Sequence, residues 1–145
     1  MERHDFVENV AAKEPRPLGR SIKRGILNTC PACGSARLFR AFLKPVDICP
    51  ACGEELFHER SDDLPPYLVI VVVGHVLMTA YMLTDAMMPD ALWVHLVVWV
   101  SLAILTSLLT IQPIKGGVIG LQWALRMHGF GDTPDPIEEN RKPGK

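Results

Sequence analysis

Residues 65–112, PPYLVIVVVGHVLMTAYMLTDAMMPDALWVHLVVWVSLAILTSLLTIQ, form two apolar runs, 67–88 and 91–111, separated only by Pro89 and Asp90. The hydrocarbon core of a bilayer takes about 20 apolar helical residues to cross, so each run is long enough to span it. A helix on the surface of a soluble protein carries a polar stripe, but residues 68–73 and 102–109 hold no charge and are apolar on every side. That pattern disfavours a buried core hairpin and predicts an α-helical transmembrane hairpin. The short link makes its two helices antiparallel neighbours.

Orientation follows from the basic residues. The link holds Asp90 and no Lys or Arg, whereas Arg16, Arg20, Lys23, Arg24, Arg37, Arg40, Lys44 and Arg60 precede the first span and Lys115 and Arg126 follow the second. Positive charge stays inside, so both termini are expected in the cytoplasm. Residues 1–20 are charged throughout and have no apolar core, so no secretory leader is expected.

The 145-residue chain leaves too little sequence outside the spans for a large enzyme domain. Residues 1–64 carry ten basic and ten acidic side chains, which gives no net pull on nucleic acid. Below roughly 40 residues a folded unit usually needs a metal or disulfide staple, and residues 25–60 fall under that size.

The staple is Cys30-Pro31-Ala32-Cys33-Gly34 and Cys49-Pro50-Ala51-Cys52-Gly53, with fifteen residues between Cys33 and Cys49. Two Cys-x-x-Cys pairs at this separation match a four-cysteine zinc site. Each pair must turn the backbone so that both thiolates face one ion. Proline presets that turn, and glycine accepts the positive φ that follows. Residues 37–43 alternate enough for a short strand pair, and Leu56 and Phe57 close a small apolar patch. The expected unit is a small zinc ribbon, built from short β hairpins and knuckles over residues 25–60, with structural Zn2+ on Cys30, Cys33, Cys49 and Cys52. A reducing cytoplasm disfavours disulfides, and a thioredoxin-like site lacks its βαβ context. Rubredoxin-like iron is the rival metal, because four-sulfur tetrahedral sites accept either ion.

The remaining segments read as a mobile lead (residues 1–24), with a short helix around residues 6–13 compatible with the pattern, and an acidic and Pro-rich connector (61–66). An amphipathic helix is expected at residues 114–130, either continuing the second span past Pro113 or lying separately at the interface with Lys115 and Arg126 at the headgroups. Residues 131–145 read as a disordered tail. Asp62 and Asp63 suit either a partner contact or the favourable N-terminus of the first span. Gly116 and Gly120 form a small-xxx-small pair able to seat another helix.

Within the first span His75, Thr79 and Met82 share a face, with Met78 beside it. Thioether and imidazole ligands invite an intramembrane metal or haem reading. Pairing residues about the link sets His75 and His95 about 13 Å apart along the axis at 1.5 Å per residue, too far to share one ion. The alternative is a neutral imidazole bonded across the hairpin, His75 to Ser101 or Ser107 and His95 to Asp85. Ala103, Thr106, Ser107 and Thr110 mark the packing face of the second span, and Trp93 and Trp99 fit a place nearer the outer interface.

Taken in order, the two Cys-Pro-x-Cys-Gly motifs, Ser61-Asp62-Asp63, Pro66-Tyr67, Val73-Gly74-His75, Gln112-Pro113-Ile114-Lys115-Gly116 and Leu121-Gln122-Trp123 resemble the bacterial membrane family of domain of unknown function 983. The likeness covers residues 25–130. It implies a two-span protein of the bacterial inner membrane and an association with cytochrome oxidase biogenesis, since members are often encoded among oxidase subunit and assembly genes. The family has no established activity, so no catalytic residue carries over. Its aspartate pair falls on Asp62 and Asp63 and its intramembrane histidine on His75, while Ser61 stands where Ala is common.

The leading expectation is a non-enzymatic accessory or assembly factor in the bilayer. Its partner would be an integral membrane protein, such as terminal oxidase subunits or assembly factors, reached through Asp62, Asp63, His75, Ser107 or Lys115. The alternatives are an intramembrane metal or haem carrier using His75, Met78 and Met82, and an iron electron carrier. No nucleophile sits beside a base, and four thiolates leave no open position of the kind catalytic zinc needs. A reporter that is active only in the periplasm, fused after Lys145, tests the topology: it should stay inactive, and activity would overturn the assignment.

Overall fold

The computed structural model describes residues 16–59, 61, 63–87 and 91–131. The expectations for residues 1–15, for Asp62, for the Pro89-Asp90 link and for residues 132–145 lie outside that range. Three helices and a two-stranded sheet organise the rest: α1 (Leu18–Ile26), β1 (Phe39–Ala41), β2 (Lys44–Pro45), α2 (Leu64–Thr84) and α3 (Leu92–Ala124), with 3-10 turns at Asp85–Met87 and His128–Phe130.

Both apolar runs are helical, with Pro65 and Pro66 in the first turn of α2, where a missing N–H costs nothing. The 21 residues of α2 rise about 31 Å, close to the thickness of a hydrocarbon core. The 33 residues of α3 rise about 50 Å, long enough both to cross such a core and to project roughly 20 Å beyond it. Of the two expectations for residues 114–130, the continuing helix is the one observed, running through Pro113 to Ala124. Both helices are long and apolar enough to cross a membrane, and little of either span is buried within the protein. That exposure is unlike the core helices of a soluble domain.

Along the spans Val69 and Val73 of α2 are buried, and the Tyr81 ring meets Trp99 edge-on at 5.5 Å and His95 at 6.0 Å. Ala103, Thr106, Ser107 and Thr110 form the less exposed side of α3. The three threonines at 79, 106 and 110 each donate their hydroxyl to the carbonyl four residues earlier, so their polar groups are satisfied within their own helices.

The projecting end of α3 supplies the floor of the second region. Ile119 and Trp123 share one core with Cys30, Leu38, Phe39, Cys49, Leu56 and Phe130. The strand pair arrives near where it is expected, although its second strand is Lys44–Pro45 and the turn between them places Leu43 at φ 60°. Asn28, at φ 59°, ends α1 and accepts the Phe39 N–H on its side chain and the Leu38 N–H on its carbonyl, which joins helix to sheet.

The largest departure concerns the lead, expected to be mobile through Arg24. Residues 18–26 are instead a helix lying across α3. The Gly116 and Gly120 pair seats it: a Cβ on Gly116 would meet the Gly25 carbonyl, and one on Gly120 the Ser21 carbonyl. Two backbones in direct contact gain dispersion and Cα–H···O contacts that no side chain advertises. Replacing Gly120 by Val should force α1 away at a cost of roughly 1–3 kcal/mol. Tryptic cleavage after Arg20 and Lys23 should then accelerate, whereas Gly74→Ala, where a Cβ meets nothing within 4 Å, should leave it unchanged. Equal cleavage of Gly120→Val and wild type would refute the contact.

Candidate metal centre

The two knuckles are built alike. The Gly34 N–H donates to the Cys30 carbonyl at 2.8 Å and the Gly53 N–H to the Cys49 carbonyl at 2.9 Å. Both glycines sit at φ 74°, the left-handed conformation expected for them. Isolated antiparallel bridges, Thr29 with Arg37 and Ile48 with Glu55, close the two knuckles at their bases.

These turns bring all four thiols together, with the sulfurs of Cys30, Cys33, Cys49 and Cys52 within 4.8 Å of one another. Across the knuckles, Cys30 Sγ stands 3.9 Å from Cys52 Sγ, and Cys33 Sγ 3.9 Å from Cys49 Sγ. A tetrahedral ion with bonds of about 2.3 Å requires sulfur pairs about 3.8 Å apart. A disulfide requires about 2.05 Å. The set therefore fits one four-sulfur metal and does not fit cystines. The Ser35 N–H, donating to Cys33 Sγ at 3.4 Å, draws that thiol down to about 6. Burial pushes the Cys30 thiol up to about 12 and raises that of Cys52. A cation held by Cys30, Cys33, Cys49 and Cys52 would supply the charge that keeps such sulfurs as thiolates.

Polar clamps bind this centre to α3, and the sequence did not reveal them. Glu54, directly after the second knuckle, accepts the Trp123 indole N–H at 2.7 Å. The Arg16 guanidinium lies 4.2 Å above the Trp123 ring, donates to the Trp123 carbonyl at 2.6 Å and stands 3.8 Å from Glu54. Arg24 of α1 donates to the carbonyls of Pro31 and Ala32 in the first knuckle. Glu59 pairs with Lys115 at 3.3 Å, both side chains nearly covered, and also accepts the backbone N–H and hydroxyl of buried Ser61. Part of the acidic run after the second knuckle is thus a clasp rather than a solvated stretch. Lys115 is engaged within the chain rather than with lipid headgroups.

The other expected residues fall elsewhere. Asp63 is exposed at the N-cap of α2 and makes no side-chain capping bond. His75 is exposed on the hairpin, and its Nδ1–H donates to the Val71 carbonyl at 2.7 Å. The expected bond to Ser101 or Ser107 is not made, and the acceptor the ring uses is a carbonyl one turn back on its own helix. His95 Nε2 comes within 3.4 Å of Asp85, the partner foreseen for it, but makes no hydrogen bond, and its Nδ1 lies 3.3 Å from the Ala91 carbonyl of its own helix.

The fold and the cluster define a membrane-associated protein with a four-cysteine metal-binding centre. A family model described as "Protein of unknown function (DUF983)" matches residues 39–123, more than half of the chain, and the protein belongs to that family. No curated protein and no solved structure matches it. A Cys33→Ser chain should lose its metal, and since metal binding supplies most of the folding free energy of so small a unit, residues 28–57 should become protease-sensitive. Metal retained at full stoichiometry with native resistance would contradict the assignment.

Proposed function

We propose that this protein is a non-enzymatic accessory or assembly factor of the inner membrane, with both termini cytoplasmic, a zinc ribbon whose metal is structural, and a hairpin that packs against another integral membrane protein. The observation that carries the reading is His75. Its ring is exposed on the first span, with Nδ1 engaged by its own helix and Nε2 without a hydrogen-bond partner among the described residues. An unsatisfied polar atom facing hydrocarbon is costly, and a donor from a neighbouring helix removes that cost. The metal is assigned a structural role because its four ligands close the coordination shell and two of them, Cys30 and Cys49, belong to the core. The partner class, a terminal oxidase or its assembly intermediates, rests on the association implied by the family resemblance.

Deletion should lower assembled oxidase without lowering its transcripts. His75→Leu should weaken recovery of the partner by crosslinking from native membranes while zinc content stays at one ion per chain. Normal oxidase in the deletion strain, with no respiratory protein crosslinked, would overturn the assembly reading. The same Nε2, with exposed Met78 and Met82 nearby, supports a second reading as a metal or haem carrier. Purified protein separates the readings by colour: zinc alone is colourless, while haem or ferric thiolate absorbs visible light.

A further inference from the structure

The helix α1 has a free flank. Its Ser21 and Gly25 side is buried on α3, and Arg24 is turned to the first knuckle. At 3.6 residues per turn, Leu18, Ile22 and Ile26 lie within about 80° of one another on the flank away from that knuckle. Leu18 and Ile26 remain 43% and 46% exposed, and Leu27 beyond them 63%. Lys23 edges this apolar strip, about 60° round the helix from Ile26, while Arg20 points outward on the far face beside Arg24, and neither has an ion pair to an acidic side chain among the described residues.

The position of the strip decides what it meets. Ile22 and Ile26 border a groove of about 320 Å³ completed by Leu68 in the second turn of α2 and by Pro113, Gly117 and Leu121 of α3. Leu68 lies one turn inside the start of a helix just long enough to cross the hydrocarbon core, so the groove sits where the spans leave the bilayer. An entirely apolar groove at that depth is continuous with acyl chains. A helix with an apolar strip edged by lysine is the pattern of elements that lie in the membrane surface.

We propose that α1 is an interfacial helix that binds anionic phospholipid in the leaflet on the side of the cysteine cluster. An acyl chain fills the groove against Ile22 and Ile26, and the phosphate meets Lys23. The lysine extends its stem over the edge of the strip and holds its charge at the headgroup level. Because α1 also carries Arg24 on the first knuckle and Gly25 on α3, lipid at this surface contacts the element that joins the metal centre to the spans.

The test uses the full-length, metal-loaded protein in phosphatidylcholine nanodiscs with or without phosphatidylglycerol. A photo-crosslinking residue in place of Ile26 should label lipid. Lys23→Gln should lower the preference for phosphatidylglycerol in lipid-retention mass spectrometry by roughly 5-fold, the loss expected for one basic side chain near an anionic surface, whereas Arg20→Gln on the far face should not. Metal content and tryptic resistance of the knuckles should not change, because both side chains are exposed and outside the core. Labelling of only protein, whether a second copy or another chain, or of only water, would overturn the proposal, as would equal phosphatidylglycerol retention in wild type and Lys23→Gln.

Discussion

Four sulfur atoms held within 4.8 Å of one another impose the constraint on which the rest of the membrane-external structure depends. Residues 28–57 contain few large apolar side chains, and Leu38 and Leu56 alone among their leucines are completely buried. So small a unit does not hold its shape by burial alone. The sulfur cluster closes the two knuckles, and the missing apolar volume comes from elsewhere in the chain: Ile119 and Trp123, both on the same helix that forms the second span. Metal centre and membrane anchor are therefore one packed object, not a folded head on a flexible stalk.

The length of α3 makes this arrangement possible. A helix ending at the bilayer surface would offer the cysteine unit nothing to pack on, whereas the part beyond Pro113 presents three glycines toward α1 and a tryptophan toward the sheet. The clamps then fix rotation and height. Glu59 and Lys115 form a nearly covered pair, and removing either partner would leave a buried charge at a cost of roughly 3–5 kcal/mol. Glu54 and Arg16 grip Trp123 from two sides. Within the spans the forces differ: apolar residues gain little by leaving lipid, so close packing of Val69, Val73 and the small-residue side of α3 takes over.

What the sequence made legible follows the same division. Long uncharged runs and paired Cys-Pro-x-Cys-Gly motifs are local signals, and the helices, both left-handed glycines and the clustered sulfurs appear where those signals place them. The contacts between distant segments were not legible. α1 looks like a charged linker because its seat is a pair of glycines a hundred residues away, and glycine pairs also occur as simple bends. Glu54 and Glu59 look solvated until Trp123 and Lys115 are known to stand opposite them. His75 was expected to turn inward on the general cost of polar groups in lipid, but its Nδ1–H finds the Val71 carbonyl one turn away and the ring stays outward.

If the metal centre, α1 and the projecting end of α3 form one cooperative unit, they should lose structure together. Hydrogen exchange read by mass spectrometry, on full-length protein in nanodiscs before and after metal removal with a chelator, measures this directly. The account predicts that residues 18–26, 28–57 and 113–124 lose protection in step while 64–84 and 92–110 keep theirs. Full protection of residues 18–26 and 113–124 in the metal-free protein would contradict it.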